Sequence, residues 1–252
     1  MNGPAPIIVS GHRFAISLAD RPAPIGAVRD RAAHLFVSVR NRAFDTGLLR
    51  AYCHLVRDNF PAGGCITVVD EPYRHNIAAL ATDPAERARA LAGLERLSAE
   101  RRRQCEKRIR GDSGGSVTLV DWRALAAAVP EAIRAECEAA FRQDPEIAAL
   151  MREQAALAAA HYGRPDAAEA FLPFLEEELP VLLHSYHKGP VLDVYPGPQL
   201  RIIWEIDSGR FDDRLPTLAG MRGAAGRHAY AMVERAAAAA MESASVSPAQ
   251  GL

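Results

Sequence analysis

Short β-branched and apolar runs alternate with amphipathic helical stretches, and this alternation constrains the fold more than any other feature of the chain. Leu35-Phe36-Val37-Ser38-Val39 reads as a buried strand, and Asp45 to Asn59 as a helix with Leu48, Leu49, Tyr52, Leu55 and Val56 on one face. After the break at Pro61-Ala62-Gly63-Gly64, Cys65-Ile66-Thr67-Val68-Val69 reads as a second strand. Strand, helix and strand of these lengths make one right-handed βαβ unit, which implies a parallel sheet covered by helices. Thr82-Asp83-Pro84 then opens a long helix to about Arg110, with the threonine or aspartate as cap and the proline in the first turn. Val117-Thr118-Leu119-Val120 is a third strand. Two helices fill 130–160, split near Asp144-Pro145, and a further helix runs from about Arg164 to His184. Gln199 to Trp204 reads as a last strand and the Ala-rich run Tyr230 to Met241 as a final helix. The expectation is α/β: one Rossmann-like domain over residues 1–242, a parallel sheet flanked by helices, with 243–252 a disordered tail.

Composition narrows the function more by exclusion. A net charge of -1 gives no global attraction to nucleic acid, so any such partner must be recognised by local clustering. The four cysteines, Cys53, Cys65, Cys105 and Cys137, form no CxxC pair and have no neighbouring histidines. That argues against a zinc site and against a secreted disulfide framework, and for a reduced, cytoplasmic protein. Met1 to Asp20 has no basic segment followed by a long apolar run, and nowhere do eighteen apolar residues run together, so neither a signal peptide nor a membrane span is expected. No GxGxxG follows the first strand, and Gly111 to Gly115 follows a helix and lacks the phosphate-loop lysine. Nicotinamide and ATP chemistry lose support, and no cofactor is expected. His184 and His187 have no third ligand nearby, so no metal is expected either.

Three features carry chemistry. Ser38 ends the first strand, where open parallel sheets present residues to ligands; it is a nucleophile or a local backbone partner. Glu178 shares a face with Phe174 and Val181, so its carboxylate is paired, functional, or part of a solvated acidic run with Glu176 and Glu177. On the long helix, Arg89, Arg96, Arg103 and Arg110 recur every seven residues, with Lys107 on the same face and Arg101, Arg102 and Arg108 beside it. Such a stripe suits a phosphate backbone; the alternative is a solvated surface, although few ion pairs along the helix are expected. His75, in the loop after the second strand, is placed to touch a ligand or is an exposed loop histidine.

These pieces, taken in order, resemble the tRNA-dependent cyclodipeptide synthases from about Leu35 to Trp204. Phe36-Val37-Ser38-Val39-Arg40-Asn41-Arg42-Ala43-Phe44 resembles the family's Gly-Val-Ser-x-x-Asn-Ser-x-Phe motif, and Val69 to Asn76 its segment after the second strand. Glu178-Leu179-Pro180 resembles the Tyr-x-x-x-Glu-x-Pro motif, and Val194-Tyr195-Pro196 the later tyrosine motif. The chain departs from the pattern with Phe36 for glycine, Arg42 for serine and Phe174 for tyrosine. Asn41 together with Tyr195-Pro196 mixes the two branches and places the chain nearer the Tyr-Pro one. The resemblance implies a fold like the catalytic domain of class I aminoacyl-tRNA synthetases and a monomer that joins amino acids from two aminoacyl-tRNAs into a cyclic dipeptide. It implies that Ser38 accepts the first aminoacyl group, Glu178 holds its ammonium, Asn41 positions the acyl group and Tyr195 aids proton transfer. Phe36, Val69, Phe174 and Pro196 would contact substrate, and the basic stripe would hold the tRNA. Transfer giving a linear product, or tRNA binding without catalysis, are the alternatives.

Overall fold

The computed structural model describes residues 4–19, 21–81, 83–226 and 228–236. Three short strands precede the first predicted one: β1 (Ile7–Val9), β2 (His12–Leu18) and β3 (Arg21–Pro22). The expected βαβ unit follows as β4 (Ala32–Ser38), α1 (Thr46–Asn59) and β5 (Gly64–Val69), with the two strands parallel. Next come α2 (Tyr73–Leu80), α3 (Pro84–Asp112), β6 (Val117–Val120) and α4 (Trp122–Ala128). Helices α5 (Glu131–Gln143) and α6 (Pro145–His161) lead through a 3-10 turn to α7 (Leu172–His187). The described chain closes with β7 (Val191–Tyr195), α8 (Arg201–Asp207), α9 (Pro216–Ala225) and β8 (Ala229–Arg235). Asp45, Asp83, Asp121 and Asp144 cap α1, α3, α4 and α6 by accepting first-turn backbone N–H groups, which is why those helices start where they do.

The sheet order is β1-β2-β8-β7-β4-β5-β6, with β3 paired to β2. From β4 the chain builds outward through β5 and β6, and later returns to add β7 and β8 on the opposite side. All four pairings among these five strands are parallel, and β2 extends the sheet antiparallel to β8. The parallel centre is as expected; the antiparallel edge is an addition.

Two expected elements have the wrong type. The stretch read as a strand over 199–204 is helical from Arg201: Ile202, Ile203 and Ile206 are buried while Trp204 is exposed, the spacing of one helix face. Short apolar runs do not distinguish the two states by themselves. The Ala-rich stretch read as a helix from Tyr230 is strand β8 as far as Arg235; the remainder of that helix and the predicted tail lie outside the described residues, apart from Ala236. β8 is hydrogen-bonded on both sides, to β2 and β7, and tertiary pairing overrides the helix preference of its alanines. The helix expected from Arg164 begins as a 3-10 turn and becomes regular only at Leu172.

Side chains alternate across the sheet and give its two faces different characters. Leu35, Val37, Ile66, Val68, Leu192 and Val194 point to one side and pack with α1 and with Cys105 of α3. That face is apolar. On the other side Phe36 and Val69 pack with α4 to α8, and the same strand positions carry His34, Ser38, Thr67, Asp193 and Tyr195. Polar groups therefore collect on one face only, beneath α7.

Candidate active site

β4 is the strand at which the build order of the sheet reverses, and crevices at such a switch point are where α/β sheets take ligands. A cavity of about 780 Å³ opens there and is lined by Ser38, Asn41, Val69, Glu178 and Tyr195, together with Phe36 and Phe174. The chain leaves β4 sharply: the Asn41 side-chain carbonyl accepts the Ala43 N–H at 2.9 Å, and Asp45 then caps α1. Ser38 is thereby held half-buried at the strand end, with room in front of it.

The hydroxyls of Ser38 and Tyr73 share a hydrogen bond at 2.6 Å. Tyr73 lies in the first turn of α2, and its ring meets Phe174 edge-on at 5.3 Å. Burial raises the Tyr73 hydroxyl's pKa well beyond its ordinary value, against the opposing effect of the Ser38 hydrogen bond. It therefore stays neutral and able to donate. Phe174 has no hydroxyl, but the aromatic ring it packs against carries one into contact with Ser38.

Glu178 projects from α7 into the cavity wall. Burial pushes its carboxyl from an ordinary 4.5 up to about 8, and the like charge of Glu177 adds to the shift. Glu177 itself is engaged elsewhere, accepting from Arg74 at 2.8 Å and lying 2.6 Å from His75 Nε2. His75 is thus on a helix and in contact with the Glu177 carboxylate, which corrects the loop reading. Tyr195 is raised by burial first and by the Glu178 charge second, while an Asn41 hydrogen bond opposes both. The Phe44 ring packs edge-on against Tyr195 at 5.5 Å. A carboxyl poised near neutrality, a positioned serine and two tyrosine hydroxyls suit acyl transfer with proton exchange.

Of the residues singled out from sequence, Ser38, Asn41, Glu178, Tyr195, Phe36, Val69 and Phe174 meet in this one cavity; Pro196 is not among its lining residues. Tyr73, Tyr186 and Asp193 line it and were missed. Asp193 stands two before Tyr195 on β7, a strand not read from the sequence, and shares its face. Arg40, exposed at the rim, stacks its guanidinium over Tyr162 at 5.9 Å.

On α3 the cations divide into two sets. Arg89, Arg96, Arg103, Lys107 and Arg110 are exposed. Arg103 pairs with Glu100 at 2.9 Å and Arg110 with Glu106 at 3.9 Å, so ion pairs along the helix are more frequent than the sequence pattern suggested. Arg89, Arg96 and Lys107 have no carboxylate partner among the described residues. Arg101, Arg102 and Arg108 face inward. Arg101 donates to the Phe44 carbonyl, Arg108 pairs with Asp112 at 3.2 Å, and Arg102 bridges Asp70 at 2.9 Å and Asp121 at 2.7 Å. Asp70 is buried and also accepts from Ser98, so Arg102 ties α3 to the turn after β5. Arg102→Ala is expected to lower stability by about 2 kcal/mol, because Asp70 is left buried without its cation. Arg96→Ala is expected to stay within about 0.5 kcal/mol of the parent. Urea unfolding midpoints measure both.

No helix among the described residues is long and apolar enough to cross a membrane. All four cysteines are free, and burial pushes the thiols of Cys53, Cys105 and Cys137 up to about 12, which leaves them inert. No protein-family model and no curated protein sequence matches the chain. Solved structures do. The chain is similar to a cyclodipeptide synthase from Fluoribacter dumoffii, with a TM-score of 0.66 at 12% identity over 88% of this chain and 98% of that one. A cyclodipeptide synthase from Bacillus thermoamylovorans matches with a TM-score of 0.65 at 13% identity over 89% and 97%. A Mycobacterium tuberculosis protein, whose structure relates cyclodipeptide synthetases to type I tRNA synthetases, matches with a TM-score of 0.63 at 16% identity over 92% and 96%. The fold of this chain is the one these enzymes share.

Proposed function

We propose that this chain is a cyclodipeptide synthase that draws both of its amino acids from aminoacyl-tRNAs. The observation that carries the reading is the convergence of Ser38, Asn41, Glu178 and Tyr195 on one cavity at the switch point of this fold. Ser38 Oγ attacks the carbonyl carbon of the aminoacyl ester; the bond to the tRNA ribose oxygen breaks, and that oxygen leaves with the serine proton. Tyr73, hydrogen-bonded to Oγ, holds the nucleophile in line. Glu178 holds the ammonium of the bound aminoacyl group and takes its proton as the amine becomes a nucleophile. That amine attacks the ester of a second aminoacyl-tRNA; the bond to its ribose oxygen breaks, that oxygen leaves with the proton taken from the amine, and a dipeptidyl-serine is formed. The new terminal amine then attacks the serine ester, the ring closes and Ser38 Oγ leaves with a proton, a transfer that the Tyr195 hydroxyl in the cavity wall would aid. Each acyl group arrives already activated, so the cycle consumes no nucleotide.

The exposed residues of α3 would meet the tRNA phosphates. Arg96→Ala and Lys107→Ala are each expected to reduce the slope of log affinity against log salt by about one unit without altering amino-acid choice. Titration of labelled tRNA at several salt concentrations measures this.

The reading is tested by incubating purified protein with a mixed pool of charged tRNA and weighing the products. A diketopiperazine, one water lighter than the linear dipeptide, supports it. A linear dipeptide would instead favour transfer without cyclisation, which uses the same nucleophile. Charged tRNA bound but unchanged would leave a non-catalytic tRNA-binding protein.

A further inference from the structure

Asp193 is 3% exposed and belongs to the cavity wall. It lies on β7 two residues before Tyr195, on the same face, and strand register sets it beside His34 of β4 and Tyr230 of β8. Neither neighbour neutralises it. Burial holds the His34 imidazole down at about 3, with Lys188 adding to the effect, so the ring is uncharged. Its Nε2 is 3.1 Å from the Thr67 hydroxyl. No Lys or Arg forms an ion pair with Asp193 among the described residues, and the like charge of Asp207 raises its carboxyl further. Burial, opposed by the nearby Tyr186 hydroxyl, pushes the carboxyl up to about 7. One of its oxygens, Oδ1, is fully buried and has no hydrogen-bond partner among the described residues.

A buried acceptor without a donor is unfavourable, and native structures leave few of them without a reason. This one lies in the wall of a ligand-sized cavity, beside apolar groups. Phe36 and Tyr186 meet edge-on at 5.8 Å, and Leu182 adjoins them in the wall. An apolar body with a donor at its tip fits such a wall.

The geometry points to Asp193 as the residue that selects the amino acid: it accepts a hydrogen bond from the side chain of the aminoacyl group carried on Ser38, so the chain prefers an amino acid whose side chain ends in an N–H or O–H donor. This rests on the reading that the cavity holds an aminoacyl group. A side chain without a donor leaves Oδ1 orphaned in the complex, and sites built to hydrogen-bond a substrate group reject the analogue lacking it strongly.

The test uses tRNAs charged one at a time with arginine, histidine, tyrosine or tryptophan, and with methionine, leucine or phenylalanine. Intact-protein mass spectrometry follows the rate of aminoacyl adduct formation. The wild type is expected to react with a donor-bearing member at least about 100-fold faster than with its apolar counterpart, as for tyrosine against phenylalanine or arginine against methionine. Asp193→Leu is expected to bring that ratio below about tenfold while still forming adducts. Asp193→Asn keeps the shape and removes the charge, and guards against a folding failure of the leucine variant; it is expected to slow the preferred substrate about tenfold or more and leave apolar ones unchanged. A wild-type preference for apolar side chains, or a preference unchanged in both variants, would overturn the assignment while the acyl-transfer reading stands. No adduct from any charged tRNA would overturn both.

Discussion

Replacing Ser38 with alanine is expected to lower cyclic dipeptide formation by about 10³-fold or more, with stability and tRNA affinity unchanged. Ser38 is the hydroxyl at the switch-point end of β4, and no other serine lines the cavity among the described residues. In the proposed mechanism, loss of Oγ removes the covalent relay, and water or a second amine would then have to attack an ester that the protein only holds. The alanine variant keeps β4 intact because Ser38 contributes only its hydroxyl contact with Tyr73. Product mass and tRNA titration of the two proteins side by side measure the effect. A variant that still cyclised at the parent rate would place the acyl group elsewhere.

The second large effect is at Glu178. Glu178→Gln is expected to reduce kcat/KM by about 10²- to 10⁴-fold, since an amide neither balances the ammonium nor accepts its proton. With the free carboxyl pushed up to about 8, kcat/KM for the parent is expected to rise with pH through about 8, and this limb is absent in the variant. The same shift governs stability. A carboxyl whose pKa is raised in the fold binds an extra proton there between its unfolded and folded values. Its contribution is therefore fully present below about 4.5 and is lost as pH rises through about 8. Asp193, pushed from 3.8 up to about 7, acts in the same sense over a lower window. The melting temperature of the parent is expected to fall between about pH 5 and 8. Glu178→Gln is expected to flatten the part above about pH 7, where Asp193 no longer contributes. Thermal unfolding across that range separates the two.

The centre of the fold was legible because β4, α1 and β5 each carry an unambiguous periodicity with a break between them. Ser38 and Glu178 stood out against a strand end and an apolar helix face, whereas Asn41 and Tyr195 were reached only through the motifs they resemble. The remainder depended on tertiary partners. β8 looks helical until it is seen hydrogen-bonded on both edges, and α8 is too short for its apolar period to speak. Arg102 has the sequence surroundings of its exposed neighbours, and only the buried Asp70 behind it makes it structural. Tyr73 reaches Ser38 because α2 starts immediately after the β5 turn, a helix whose first turn carries no strong sequence signal beyond Pro72. Asp193 was hidden differently: one carboxylate within Val191-Leu192-Asp193-Val194-Tyr195 matters because of the face it shares, and the pattern alone does not say which face holds the cavity.

The most direct measurement is the mass of the intact protein, followed by peptide mapping, after brief mixing with aminoacyl-tRNA. A gain of one aminoacyl residue is expected, mapped to the peptide bearing Ser38 and absent from Ser38→Ala. An adduct on another residue, or cyclic product formed with no protein-bound acyl group, would contradict it.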